Sequence, residues 1–261
     1  MNQLDEILSD VRSRIAAAAK RAGRNPDDVE IIAVTKTHDE EVVRDAWDSG
    51  LRIMGENKVK EAMWKKELSP SGPEWHLIGH LQTNKVRQAL ETFDVIHSVD
   101  SIRLVDRINQ TAATLGLSPR ILFEVNISGE ETKSGMEPKD VRAAVAHVLE
   151  NCPRVTLEGF MTMAPICEDP EEARGVFRGL RELRDAMERE FGASFPRLSM
   201  GMSGDYEVAV EEGATWVRLG TVLFGQRPRL RSVRSQGEDA DSALGGLDSY
   251  SGEGPTVRIL D

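Results

Sequence analysis

Lys36 follows IIAVT (31–35) at the end of a short apolar run. An amine attacks a carbonyl only where its surroundings lower its pKa from a free value near ~10.4, which a partly desolvated rim can do. A solvated rim lysine is the plain alternative, and position alone leaves both open. Two later segments carry anion chemistry. VRLGT (217–221) ends a run on Gly220 and Thr221, a backbone N–H and a hydroxyl suited to a phosphate. LSMGMSGDY (198–206) ends another in small residues, so Ser203, with the amides around Gly201 and Gly204, can serve the same anion. A tight turn that needs Gly and a Ser or Asp cap would explain either segment alone; the two on adjacent strands favour a phosphate. Arg218 precedes Gly220 by two residues, on the same side of an extended strand, and is costly inside a protein without an acceptor. Glu124, alternating with Phe123 and Val125 in ILFEVN (121–126), is an inward acid that could pair with it.

These residues need elements to bring them together. Leu4, Ile7, Leu8, Val11 and Ile15 share one helical face, and Gly23 and Pro26 end that helix. Apolar runs follow at 31–34, 51–55, 76–79, 94–99, 120–127, 155–161, 197–201 and 215–220. Helical patterns separate them at 40–49, 58–68, 82–91, 102–115, 139–150, 170–191 and 205–212. Eight such units in about two hundred residues predict an α/β fold, a closed (β/α)8 TIM barrel with an extra N-terminal helix. An open doubly wound sheet is the alternative. In a barrel the C-terminal strand ends converge on one mouth, which would gather Lys36, Ser203, Arg218, Gly220 and Thr221. Beyond Pro228 the chain turns rich in Ser, Gly and Asp, so a barrel domain over 1–228 and a flexible tail over 229–261 are expected.

Composition narrows the partners. The 33 Lys and Arg among 261 residues face 44 Asp and Glu, a net charge of −11, which argues against nucleic acid. Cys152 and Cys167 build no disulfide framework, and no Cys or His pair has metal-ligand spacing. The acidic start MNQLDEILSDVRSRI lacks a signal peptide's basic and apolar regions, and no apolar run has membrane-spanning length. A cytoplasmic protein is expected.

A carbonyl-reactive lysine, a phosphate cup and an arginine at one mouth together point to pyridoxal 5′-phosphate, which has an aldehyde, a phosphate and a ring nitrogen. Several segments then resemble one family in order and spacing: AVTKTH (33–38), GENKVKEA (55–62), WHLIGHLQTNKV (75–86), IHSVDS (96–101), VNISGEETKSG (125–135), GFMTMAP (159–165), LSMGMSGD (198–205) and VRLGTVLFGQR (217–227). They are similar to the pyridoxal phosphate homeostasis proteins, single-domain relatives of the alanine racemase barrel with fold type III. The resemblance implies that Lys36 carries the cofactor as a Schiff base, that Ser203, Gly220 and Thr221 hold its phosphate, and that Arg218 faces the pyridine nitrogen. It also implies that Asn57, His80 and Met161 line the pocket. Their plain readings are a helix cap, a helix-start residue and core filler. Lys58 departs from the family, which often has an aromatic there, and the tail matches nothing in it.

The residues also bear on turnover. Pyridoxal phosphate stabilises a carbanion best with a protonated ring nitrogen, which a cationic Arg218 opposes. A racemase needs a second acid or base, usually a tyrosine, and the chain offers only Tyr206 and Tyr250. Cys167 reads as a plain loop thiol, and no β-domain is expected after the barrel to cover the site. The expected function is therefore a pyridoxal phosphate binding protein of vitamin B6 and amino-acid homeostasis, without robust turnover. The alternatives are a fold-type III racemase or lyase with a base from a partner subunit, and a cofactor-free lysine of the class I aldolase kind. Pyridoxal phosphate, amino acids and apo-enzymes that use the cofactor are the candidate partners, and the chain is expected as a monomer or weak dimer.

Overall fold

The computed structural model describes residues 3–130 and 132–225. Short apolar runs set the strands: β1 (Glu30–Val34), β2 (Ile53–Glu56), β3 (Glu74–Leu77) and β4 (Val95–Val99). β5 (Arg120–Glu124), β6 (Thr156–Met161), β7 (Arg197–Ser199) and β8 (Trp216–Leu219) complete them. All pair in parallel in chain order, and β8 returns to β1 through Ile32 and Arg218, closing the barrel. The helices between them are α2 (Glu40–Asp48), α3 (Val59–Leu68), α4 (Val86–Thr92), α5 (Ile102–Leu115), α6 (Pro138–Asn151), α7 (Arg174–Phe191) and α8 (Tyr206–Glu211). The expected TIM barrel is the fold observed.

Strand periodicity sorts the residues by side. Ala33, Met54, Trp75, Phe123 and Leu198 face the helices in the larger core. Ile32, Ile53, Val95, Leu122, Met161 and Trp216 form an apolar layer of their own inside the barrel. Two residues further along β4, β5 and β8 come His97, Glu124 and Arg218, a buried polar layer. The mouth lies beyond.

Helix α1 (Gln3–Arg21) buries Leu8, Val11, Ile15, Ala18 and Ala19 and packs on α8. Arg14 pairs with Glu207 at 2.5 Å and Arg21 with Glu211 at 2.6 Å. α5 and α7 end at Gly116 (φ 69°) and Gly192 (φ 61°), left-handed positions that glycine adopts without Cβ strain.

Several elements differ from expectation. The helix expected from residue 82 begins as a 310 turn over Thr83–Lys85. β5 stops at Glu124 rather than 127, because Val125 bridges to Met136 and Asn126 N–H donates to Met136 O at 3.0 Å. A short helix, α9 (Thr221–Phe224), was not expected; it follows β8 directly. The expected tail and the boundary at 228 lie outside the described residues. No helix among those described is long and apolar enough to cross a membrane.

Candidate functional site

A cavity of about 420 Å³ opens at the C-terminal ends of the strands. Its walls follow the inward parity: Val34 and Lys36 from β1 and its loop, Asn57 after β2, Ile78 after β3 and Met163 after β6. Met202, Ser203 and Gly204 come from the loop after β7, and Arg218, Gly220 and Thr221 from β8 and its turn. Two basic side chains, Lys36 and Arg218, and two hydroxyls line it, and none of the described lining residues is a carboxylate.

Six of the expected site residues therefore meet here: Lys36, Asn57, Ser203, Arg218, Gly220 and Thr221. His80 and Met161 do not. Met161 is 1% exposed in the apolar layer beneath, one inward step too deep, and Met163 takes the wall position. His80 lies past the end of β3 in a separate groove, its Nδ1 3.6 Å from the Asp100 carboxylate, while Ile78 lines the cavity. Tyr206 opens α8 with Arg14 over its ring, 5.5 Å from the centroid, and neither it nor Cys167 is in the wall. Tyr250 lies outside the described residues.

Two loops meet at one side of the cavity. Ser203 Oγ accepts the Val222 N–H at 3.2 Å, tying the loop after β7 to the first turn of α9. Asp205 shapes that loop by accepting the Met202 N–H at 2.6 Å. A Cβ on Gly220 would stand 3.3 Å from Val34 O, so the β8 turn runs close against β1. A Cβ on Gly79 would come within 2.5 Å of Asn57 O; its absence lets the chain after β3 support Asn57.

Lys36 is held from both sides by neighbours that the sequence did not mark as functional. Thr35 Oγ1 donates to Glu56 Oε1 at 2.6 Å, and the fully buried Lys65 Nζ donates to Thr35 O and Glu56 Oε1, both at 2.7 Å. Lys65 also reaches Glu61 at 2.9 Å, and Glu61 accepts the Thr37 N–H at 2.5 Å. Thr37 is left-handed at φ 66°, uncommon for a β-branched residue, so Glu61 fixes the turn that carries Lys36. Burial pushes the Glu56 carboxyl up and Lys65 opposes it. The only sequence signal was the Glu61 and Lys65 spacing of four, which reads as a surface helix pair.

Arg218 is buried at the cavity floor. Its Nη1 donates to Ser199 Oγ at 2.8 Å and its Nη2 to Thr162 O at 2.9 Å. The alternative pairing with Glu124 is not made: no hydrogen bond or ion pair joins them among the described residues, because backbone and hydroxyl oxygens already serve as acceptors. Burial pushes Arg218 down to about 10, with Asp205 and Glu124 opposing, so it remains cationic at neutral pH. Burial and Asp100 push Glu124 up to about 7, against Arg218.

A closed parallel barrel that gathers a lysine, a buried arginine and two loops bearing Ser203 and Thr221 at its mouth has the architecture of the alanine racemase class of barrel. Residues 8–228 match the family model described as alanine racemase, N-terminal domain. A relative from Aquifex aeolicus, named pyridoxal phosphate homeostasis protein, is 46% identical over 223 residues, 85% of this chain and 97% of the relative. The solved structure of PipY from Synechococcus elongatus with PLP bound is 37% identical, with TM-score 0.75 over 85% of this chain and all of that one. An alanine racemase of Clostridium difficile, 15% identical, shares the fold at TM-score 0.70 over 87% of this chain and 58% of its own. The chain belongs to the pyridoxal phosphate homeostasis protein family.

Proposed function

We propose that this protein binds pyridoxal 5′-phosphate at the barrel mouth and acts in cellular homeostasis of the cofactor and of amino acids, without robust turnover. The observation that carries the reading is the wall itself: Lys36, Arg218, Ser203 and Thr221, with no carboxylate among the described lining residues, on a chain of net charge −11. A cationic, hydroxyl-rich cavity of this size fits a phosphorylated aromatic aldehyde.

When bound, the cofactor supplies an aldehyde for an amine and a ring that can stabilise a carbanion. Ser203, Thr221 and the Gly220 backbone are the groups to bind its phosphate, and Lys36 the amine to hold its aldehyde. Arg218, held by Ser199 and Thr162, keeps a positive charge at the floor and has no proton to take up there. No tyrosine is among the described lining residues to move a proton on a bound amino acid. Holding and handing over the cofactor suits this set better than turnover. Apo-enzymes that need the cofactor are the partners we infer. Cys152 and Cys167, both free thiols, support a reducing, cytoplasmic setting.

Absorbance spectra of wild type and Lys36→Ala, with added pyridoxal phosphate and then borohydride, test the reading. A visible band and a borohydride-fixed adduct on Lys36, both lost in Lys36→Ala, are expected. A wild type with neither would sink the assignment. Deuterium exchange at the α-carbon of added amino acids, at enzymatic rates and abolished in Lys36→Ala, would instead favour a racemase or lyase.

A further inference from the structure

Beneath Arg218 the barrel interior holds polar side chains that the binding of a cofactor does not explain. Ser199 on β7, His97 on β4 and His76 on β3 are fully buried, and Glu74 opens β3 at the opposite end of the barrel. From the cavity downward, Arg218 Nη1 lies 2.8 Å from Ser199 Oγ, and Ser199 Oγ 2.9 Å from His97 Nδ1. His97 Nε2 lies 2.9 Å from His76 Nδ1, and His76 Nε2 3.0 Å from Glu74 Oε1. Arg120 completes the line by donating to the same Glu74 oxygen.

We propose that Ser199, His97, His76 and Glu74 are positioning residues for Arg218, forming one directed chain of hydrogen bonds that holds its guanidinium at the cavity floor. The proposal rests on the reading of that cavity as a pyridoxal phosphate site and deepens it.

The direction follows from what each end can do. A guanidinium only donates, so Ser199 Oγ accepts from Arg218 and its single O–H is left for His97 Nδ1. His97 Nδ1 is then bare, its proton sits on Nε2, and that N–H donates to a bare His76 Nδ1. His76 carries its own proton on Nε2 and donates it to Glu74. Glu74, held down to about 2 by His76 and then Arg120, is a carboxylate that only accepts. Starting from either end gives the same assignment.

An added proton does not fit. On His76 Nδ1 it would face the N–H of His97, and accommodating it would turn His97 round and leave the Ser199 hydroxyl without its acceptor. Burial opposes that proton too: it lowers His76 against Glu74 and Asp94, and lowers His97 well below its usual range, where His76, Arg218 and Arg120 add repulsion. Trp216 packs on both rings, centroids 4.8 Å and 5.2 Å away, and keeps them in place.

A chain that only filled the core would affect stability alone, so the test separates the two. In the cofactor-free protein, two-bond ¹H–¹⁵N NMR is expected to show His76 and His97 neutral with the proton on Nε2 at both pH 8 and pH 6. A proton on Nδ1 of either ring, or a cationic ring in that range, overturns the direction. In titrations with pyridoxal phosphate, Ser199→Ala is expected to weaken binding about tenfold, as for loss of a hydrogen bond to a charged group, and Ser199→Thr to restore it. Added to Arg218→Ala, Ser199→Ala should cost no further affinity. Glu74→Gln should weaken binding in the same sense. Glu188→Gln is the control: Glu188 Oε1 accepts the Phe195 N–H at 2.6 Å, on the outer helix and away from the chain, so the change should leave affinity unchanged. Additive effects of Ser199→Ala and Arg218→Ala, or equal affinity losses in Glu74→Gln and Glu188→Gln, overturn the positioning role. A wild type that binds no pyridoxal phosphate brings down the functional reading and this role with it, while the NMR arm still decides the direction of the chain.

Discussion

Glu124 ends β5 inside the barrel, 3% exposed, with its folded pKa raised from about 4.5 to about 7 by burial and by Asp100. A carboxyl raised on folding binds its proton more tightly in the native state. The stability this contributes is complete below pH 4.5 and drains away as pH rises to about 7, on the order of 3 kcal/mol. Glu124→Gln keeps the shape and cannot ionise. Denaturant midpoints should therefore move in favour of the variant between pH 5 and pH 8; a constant difference across that range would remove Glu124 as a titrating group. Among the expected site residues, Lys36, Ser203, Arg218, Gly220 and Thr221 were legible because each stands at or just past the end of an apolar run, where a barrel opens. Met161 and His80, which only the family resemblance set in the pocket, lie outside the cavity wall, Met161 in the apolar layer beneath and His80 in a separate groove. Met163, two residues on, holds the wall position assigned to Met161.

At the scale of elements, the turn from β1 to α2 depends on α3. Lys65, from the middle of that helix, is buried beneath the turn, where it binds Thr35 O, Glu56 and Glu61. Lys65→Met keeps most of the volume and leaves the Glu56 carboxylate buried without its cation, which should cost about 3–5 kcal/mol. The double variant Lys65→Met, Glu56→Gln removes the stranded charge and should recover most of that loss. Thermal unfolding of the three proteins measures it, and a single variant as stable as wild type would show that the pair does not hold the turn. Helix α3 was legible as a helix, but nothing along it singles out Lys65, which stands four residues after Glu61 at the spacing of an ordinary surface pair. Burial of Lys65 comes from the β1 turn packing over it, and no window along α3 contains that turn.

For the whole molecule, the match to the family ends at residue 228 and the described cavity wall ends at Gly225. We therefore propose residues 1–228 as the functional barrel. Deleting 229–261 should leave Tm and pyridoxal phosphate uptake at wild-type values, and a loss of either would give that segment a part in the site. The eight alternating units, the inward side of Glu124 and Arg218 and the run ends that carry Lys36, Ser203 and Arg218 could all be read along the chain. All of these are local, because the two-residue and 3.6-residue periods are set by backbone geometry within a few residues. That Arg218 meets Ser199 and Thr162 rather than Glu124, that His97 reaches Ser199 across 102 positions of chain, and that Lys65 lies beneath Thr35 emerges with the folded barrel alone. Such contacts depend on strand register around the closed barrel and on how deep each layer sits, quantities set by all eight strands at once and by no single stretch of residues.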